Sequence, residues 1–422
     1  MAHYAILSPP FAGHLVPILM IGHRLLQKGH RITLVSDERA RSMSMLLGLE
    51  FKALPAVASS TIRRISWRRI RPIERVLRLS MRHNQRQAAI RWMADAPGLI
   101  ASLGVDALIV EQYVVGGGSI AEYLGLPFAT VSGSLDFQEN PAYPPSYTPW
   151  AYSDALASRL RNQLGYRAMR WFMAPILSVI NDWRRRHGLG FLHHHNEFFS
   201  RSAHIVQGCA EFDFPQPLVT WRHYGGCLTC DQSRPQVNFV WDRLDDRPLV
   251  FASFGTLYTR KNLPMLELVA RVCAKLPVQL VLTRGKWNEG EGDLPNGMFD
   301  GDPIAVDFAP QLRLLERAAL MVSHGGNNST MEALAYGVPQ IICPRSADQP
   351  GVAARAVRAG VALVHPFGNL SESRLRYSIE RVLNEDAFRQ RAQGLKHSLA
   401  ATGGSQASAT FIERALQLGF TR

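Results

Sequence analysis

The 422-residue chain carries 47 Lys and Arg against 34 Asp and Glu, a formal net charge of +13, with 46% hydrophobic and 19% charged residues. This composition argues against a disordered chain, and the lack of any long unbroken apolar run argues against a membrane-spanning helix. The positive excess admits nucleic acid, acidic ligands or an anionic membrane surface as partners, and the length suits two α/β domains better than one core.

A strand is expected over 4–7, entered from the N-terminus without the basic and long apolar segments of a secretory signal. A turn, a helix over 16–28 stopped at Gly29 and a strand over 31–35 follow. Another unit is centred on the strand 107–110, with a glycine turn at 116–118, a helix to Leu124 and a strand over 127–131. Long helical periodicity runs over 151–186, and a strand at 205–207 closes this half. The proline- and glycine-rich stretch 213–243 reads as a domain tail and linker. The pattern then restarts with a strand over 249–254, a helix over 262–275 capped by Asn262, and strands over 279–283 and 304–308. A short helix over 314–318, a strand over 320–323, a helix over 329–336 and a strand over 340–343 follow. Helices over 351–359, 372–384 and 405–418 complete the chain. The expectation is two Rossmann-like α/β domains facing across a cleft: 1–220, a linker over 221–243, 244–402, and a C-terminal helix in 403–422 that packs back on the first domain. One large doubly wound domain is the simplest alternative.

Within the second half, Val322-Ser-His-Gly-Gly-Asn-Asn-Ser-Thr-Met-Glu-Ala-Leu334 sets His324, Gly325 and Gly326 directly after a strand and opens a helix with Asn328, Ser329 and Thr330. Glycines allow close backbone approach, and a helix start offers unpaired N–H groups and a positive dipole, which together suit a diphosphate. His324 can donate to a phosphate oxygen. The dinucleotide and P-loop glycine motifs are absent. Around this turn, Phe308 can stack on a planar base, and Glu332 can accept hydrogen bonds from a ribose diol. Asp348 and Gln349 can read sugar hydroxyls, and Ser253, Gly255 and Thr256 can approach the phosphates from the other side. A plain strand-to-helix turn, a core aromatic and a solvated glutamate are the structural alternatives.

In the first half, His14 follows the first strand in Phe11-Ala-Gly-His-Leu-Val-Pro17. A histidine suits the removal of a proton from an acceptor hydroxyl, and Glu111, just past the strand 107–110, is the carboxylate placed to orient it. A structural helix-start histidine is the alternative. Phe137, Tyr143 and Trp150, among several prolines, can line an apolar acceptor pocket or form a surface loop packed on itself. The lone C-x-x-C pair Cys227 and Cys230 reads as a turn with two reduced cysteines. The run His193-His194-His195 is not expected to converge on a metal ion.

The stretch from Phe308 through Gly351 resembles the donor-binding signature of the family 1 glycosyltransferases, and the resemblance extends over nearly the whole chain. It implies the GT-B arrangement of two Rossmann-like domains and inverting, metal-independent transfer from a UDP-sugar co-substrate, with no cofactor. Phe308 stands where the family has a tryptophan that stacks on uracil, and Gln311 matches the glutamine near the uridine. His324, Asn328 and Ser329 match the phosphate-binding residues, and Glu332 the ribose-binding glutamate. Asp348 and Gln349 match the pair that holds the hexose, which points to glucose. His14 matches the catalytic histidine, whereas Glu111 replaces the usual aspartate. Bacterial carotenoid glucosyltransferases are similar at Asp348-Gln-Pro-Gly-Val-Ala353 and in the opening turn, implying a small apolar acceptor. On the same fold, a nucleotide-sugar-binding protein without transferase activity or a UDP-sugar epimerase is the alternative.

Ten arginines, Arg63, Arg64, Arg68, Arg69, Arg71, Arg75, Arg78, Arg82, Arg86 and Arg91, crowd one segment, with a second knot at Arg184-Arg185-Arg186. Tryptophans 67, 92, 171 and 183 are interleaved with them. They read as a solvated face, as a weak contact with an anionic membrane that supplies the acceptor, or as a pocket for an acidic acceptor. No nucleic-acid recognition module is present. A cytoplasmic enzyme, peripheral at the inner membrane face, is the expected location.

Overall fold

The structure, a computed structural model, describes residues 1–55, 73–217, 219–229, 237–255, 259–285 and 298–417. As expected, it is an α/β fold with two parallel sheets. The first has seven strands in the order β3 (Glu50–Ala53), β2 (Arg31–Ser36), β1 (His3–Leu7), β4 (Ala107–Glu111), β5 (Phe128–Ser132), β6 (Ala203–Val206) and β7 (Arg222–Tyr224). The second has six, in the order β10 (Ile304–Val306), β9 (Gln279–Thr283), β8 (Leu249–Ser253), β11 (Ala318–Ser323), β12 (Gln340–Ile342) and β13 (Ala362–Val364). Strands β1, β4 and β8 are buried along their whole length, as parallel strands covered on both faces must be.

In the first half the helices are α1 (Ala12–Gln27), α2 (Arg41–Leu46), α3 (Ile73–Leu103), α4 (Gly117–Tyr123) and α5 (Leu156–Arg186). Helices α6 (Thr259–Cys273), α7 (Gln311–Leu315), α8 (Asn327–Ala335), α9 (Gln349–Arg358), α10 (Glu372–Asn384), α11 (Asp386–Ala401) and α12 (Gly404–Gln417) complete the chain. One face of the first sheet is packed by α1, the other by α3 and α4. Helix α12 returns to the first half, where Ala409, Ile412 and Leu416 join the core beneath α1 and Glu413 pairs with Lys28 and His30. The chain therefore crosses between the halves twice. The crossings touch at Gly226 (φ +60°), where a side chain would collide with Thr402 and the Leu399 carbonyl.

In both sheets the strand order reverses beside the first strand, opening a crevice at the carboxyl ends of β1 and β4 and of β8 and β11. Several elements differ from the sequence reading. Helix α1 begins at Ala12, so His14 lies in its first turn and not before it. Strand β7 falls inside the stretch read as linker and adds a seventh strand beyond β6. Asn262 lies inside α6 and does not cap it, donating instead to the Phe254 carbonyl at 3.1 Å.

Candidate active site

His14 is carried by the first turn of α1, directly after β1, and Glu111 ends the adjacent strand β4. The His14 Nδ1 lies 3.0 Å from Glu111 Oε1, and Glu111 Oε2 accepts the Tyr113 N–H at 2.8 Å. Glu111 is fully buried, while the His14 side chain keeps 23% exposure, enough for a substrate to reach it. A buried carboxylate at Nδ1 holds the proton there and leaves Nε2 as the basic nitrogen. Burial opposes charge on His14, but the Glu111 charge and hydrogen bond, with Asp348 adding to them, hold its pKa above the ordinary histidine value. The Tyr113 ring packs on the imidazole at 4.5 Å between centroids, and Phe137 stands behind Tyr113 at 5.7 Å. Sequence reading missed Tyr113, whose only signal was its place two residues past Glu111.

Across the cleft, β11 ends in the turn that opens α8. Gly325 needs its positive φ of 76°, and a methyl at Gly326 would come within 2.6 Å of His324 Nε2. A methyl at Gly255 (φ +77°) would likewise come within 3.0 Å of the His324 ring, so both positions leave room for the imidazole only as glycines. Burial pushes its pKa down to about 4, which keeps it neutral, with one N–H to donate. The N–H groups of Asn327, Asn328 and Ser329 have no carbonyl four residues back within the helix.

This helix start is fastened to the first half. Pro17 lies inside α1 and has no N–H, so the carbonyl of Gly13 four residues earlier lacks its helical donor. Asn328 Nδ2 fills that place at 2.9 Å, and Asn328 Oδ1 accepts from Gln207 Nε2 at 2.7 Å. Asn327 Nδ2 and Gln207 Nε2 both reach the Gly133 carbonyl, at 3.1 and 3.0 Å. The Asn328 side chain thus bridges the halves, and at this residue the backbone N–H is what remains for an anion.

Of the other expected donor residues, Ser253 ends β8 and its Oγ accepts from Thr283 Oγ1 at 2.9 Å, while Thr256 lies outside the described residues. Phe308 stands two residues beyond the carboxyl end of β10 and is 46% exposed. Gln311 opens α7 and its Nε2 donates to Glu332 Oε2, tying the two residues together. Ser329 is half-buried in the first turn of α8. Asp348 precedes α9, and its Oδ2 accepts the Leu135 N–H from the first half at 3.0 Å. Burial raises the Asp348 pKa, and its charge is one of those acting on His14. Gln349 Oε1 accepts from the N–H groups of Arg345 and Ser346, at 2.8 and 3.1 Å, closing the turn at Ala347 (φ +57°).

Residues 275–412 match the family described as erythromycin biosynthesis protein CIII-like, C-terminal domain. Zeaxanthin glucosyltransferase of Pseudescherichia vulneris is 29% identical over 99% of this chain and 98% of its own, and that of Pantoea ananas 27% identical over 99% and 97%. The solved glycosyltransferase of kitacinnamycin superposes with a TM-score of 0.78 at 21% identity, covering 98% of this chain and 99% of that one. The chain is a glycosyltransferase with the GT-B fold.

The acceptor residues expected of this glycosyltransferase separate in the structure. Phe137 joins the His14 cluster through Tyr113. Trp150 lies against Gly165 of α5 and under the Arg161 guanidinium, and Tyr143 stacks on Tyr152 at 5.9 Å. Tyr143 instead lines a cavity of about 240 Å³ between the halves, beside Asp136, Asp213, Arg222 and Arg355. There Arg355 Nε donates to Asp213 Oδ1 at 2.7 Å and Arg358 to the Asp213 carbonyl at 3.0 Å, a buried ionic link between α9 and the end of the first domain.

Two expectations away from the cleft are corrected. Cys227 is disulfide-bonded rather than reduced, while Cys230 lies outside the described residues. The histidine run does converge in part: Glu139, His194 and His195 bring one ligand atom each within 4.8 Å. Chemistry closes the cluster on itself, however. His194 Nδ1 accepts the Asn196 N–H at 3.0 Å, so its proton is on Nε2 and is donated to Glu139 Oε2 at 2.9 Å. Arg170 occupies the other carboxylate oxygen, where a cation would have to displace it. Of the arginine segment, 63–71 and the side chains of Arg75 and Arg78 lie outside the described residues.

Proposed function

We propose that this glycosyltransferase moves a hexose, glucose first among candidates, from a UDP-sugar to a hydroxyl of a small apolar acceptor such as a carotenoid, polyketide or aromatic natural product. His14 Nε2 takes the acceptor proton as the hydroxyl oxygen attacks the anomeric carbon and the bond to the diphosphate breaks, which inverts that carbon. Glu111 holds the imidazole and steadies the imidazolium. UDP leaves into the N–H groups opening α8, with His324 as a neutral donor, an arrangement that needs no metal to neutralise it. Phe308 stacks on the base, Gln311 lies beside it, and Glu332 takes the ribose hydroxyls. Ser253, Gly255, Thr256, Gly325, Gly326 and Ser329 surround the phosphates, and Asp348 and Gln349 hold the sugar. Phe137 shapes the acceptor side, and an anionic membrane surface supplies the acceptor.

One observation carries this reading: the His14–Glu111 pair is set by the Asn328–Gly13 hydrogen bond directly against the helix start that suits a diphosphate. A solved enzyme of the same fold, spinosyn rhamnosyltransferase, is complexed with thymidine diphosphate, so the nucleotide is the point most in need of a test. An acceptor screen with UDP-glucose, read by a mass gain of one anhydrohexose, tests the reaction. UDP release with no glycosylated product from any hydroxylated acceptor refutes it.

A further inference from the structure

Helix α5 presents an apolar stripe to solvent. Leu156, Leu160, Leu164 and Trp171 are 73%, 52%, 62% and 63% exposed. At 100° per residue these four and Arg167 fall within about 80° of one another around the axis, along about 22 Å of helix. The opposite face is spent on the core through Tyr166, Met173, Ile176 and Ile180. From Leu156 to Asn181 the helix contains no Asp or Glu. Arg161 and Arg170 turn inward, to the Trp150 ring and to Glu139, whereas Arg159 and Arg167 are exposed and make no ion pair among the described residues. Arg82 of α3 adds its guanidinium over the Trp171 ring, 4.5 Å from the centroid.

We propose that this face of α5 is a docking surface for an anionic lipid bilayer, lying in the plane of the headgroups with its three leucines and Trp171 in the acyl boundary. An exposed leucine stripe flanked by one sign of charge fits an interface that is apolar below and negative above. Trp171 under a guanidinium has the character of an interfacial anchor. A second copy of the chain fits less well, because a two-fold contact would set Arg159 and Arg167 against their own copies. The buried side of α5 connects the surface to the site. Tyr147 donates to the Gly165 carbonyl at 2.6 Å and Asn162 to the Pro141 carbonyl at 3.2 Å, so the loop that begins at Phe137 rests on this helix. The binding stands on the helix face alone. Its use, drawing an apolar acceptor from the membrane, rests on the proposed function.

The test is co-sedimentation of the full chain with vesicles of phosphatidylcholine, with and without a fraction of phosphatidylglycerol, at low and high salt. The expected result is binding that requires phosphatidylglycerol and weakens with salt. Leu160→Glu with Leu164→Glu lowers the partition coefficient about 100-fold, from about 10-fold per leucine withdrawn from the acyl boundary. Arg159→Gln with Arg167→Gln lowers it about 5-fold per arginine at low salt, an effect that fades at high salt. Wild-type protein that stays in the supernatant overturns the proposal, as do leucine variants that bind like wild type. Leucine variants that dissolve a dimer in sedimentation velocity while leaving vesicle binding intact also overturn it, in favour of self-association. UDP affinity by calorimetry, unchanged in folded variants, keeps the two readings apart. A wild type that sediments with vesicles but does not bind UDP sinks the donor assignment and leaves the α5 face standing.

Discussion

Replacing Glu111 with Gln changes one atom and removes one charge at a point where two donors converge: His14 Nδ1–H at 3.0 Å and the Tyr113 N–H at 2.8 Å. A carboxylate accepts both, whereas a carboxamide has one oxygen. If that oxygen serves His14, the amide NH₂ faces the Tyr113 N–H, and a buried donor loses its partner at a cost of about 1–3 kcal/mol. If the amide turns over, Nδ1 must become the acceptor, the proton moves to Nε2, and the base is lost. Either outcome lowers kcat/KM with an alcohol acceptor by about 10–100-fold. His14→Ala removes the base itself and is expected to lose about 10²–10⁴ while UDP affinity stays nearly intact. The double variant should be no slower than His14→Ala, because the two residues act as one unit.

The pH profile gives a second, independent reading of the same variant. Glu111 and Asp348 hold the His14 pKa above its ordinary value, and only the neutral imidazole accepts a proton, so the wild-type rate rises as pH increases through that raised pKa. Loss of the Glu111 charge moves this acid limb to lower pH. The assay is kcat/KM across pH for both single variants and the double variant, with an alcohol and a nitrophenol, the alcohol suffering more because a phenol needs less help in losing its proton. A Glu111→Gln enzyme that is as fast as wild type on the alcohol, with an unmoved acid limb, refutes the assignment of Glu111. Full activity of His14→Ala on the alcohol refutes the assignment of the base.

Groups elsewhere in the cleft give two more expected outcomes. UDP is expected to bind more tightly than its 2′-deoxy form, and Glu332→Ala to abolish the difference at a loss of about 1–3 kcal/mol; equal affinities in the wild type, measured by calorimetry, exclude the ribose role. Asp213→Ala leaves Arg355 buried without its partner and is expected to destabilise the fold by about 3–5 kcal/mol in urea unfolding. Burial opposes the Asp213 charge, but Arg355 and Arg222 outweigh it and hold the pKa below the usual carboxylate value. This contribution is therefore complete above the unfolded-state pKa near about 4, and is lost as pH falls through the depressed folded value. Asp213→Asn should flatten that acid limb of stability.

Most strands of the two sheets were legible because parallel strands under two helical layers are short apolar runs, as in 107–110 and 249–254, although the three-residue edge strand β13 was not read. Edge strand β3 was not, since Glu50 and Lys52 interrupt it where one side faces water, and β7 is a three-residue strand in a proline-rich stretch. The closeness of His14 and Glu111 was legible because one follows β1 and the other ends β4, strands that a Rossmann order brings side by side. What the sequence withheld were contacts made by backbone atoms: the Gly13 carbonyl freed by Pro17, the Gly133 carbonyl, and the Leu135 N–H that Asp348 receives. Such groups are common to every residue and leave no mark on composition. For the same reason the sequence did not show that the Asn328 side chain, expected at a phosphate, also joins the halves.

Because the two crossings of the chain touch at Gly226, the halves are tied at one place and not at two separate ones. Sliding or twisting the halves past each other would tear the Gly226 contact and lift α12 from the core under α1. Any tilt of one half against the other would break and remake the Asn328–Gly13 hydrogen bond.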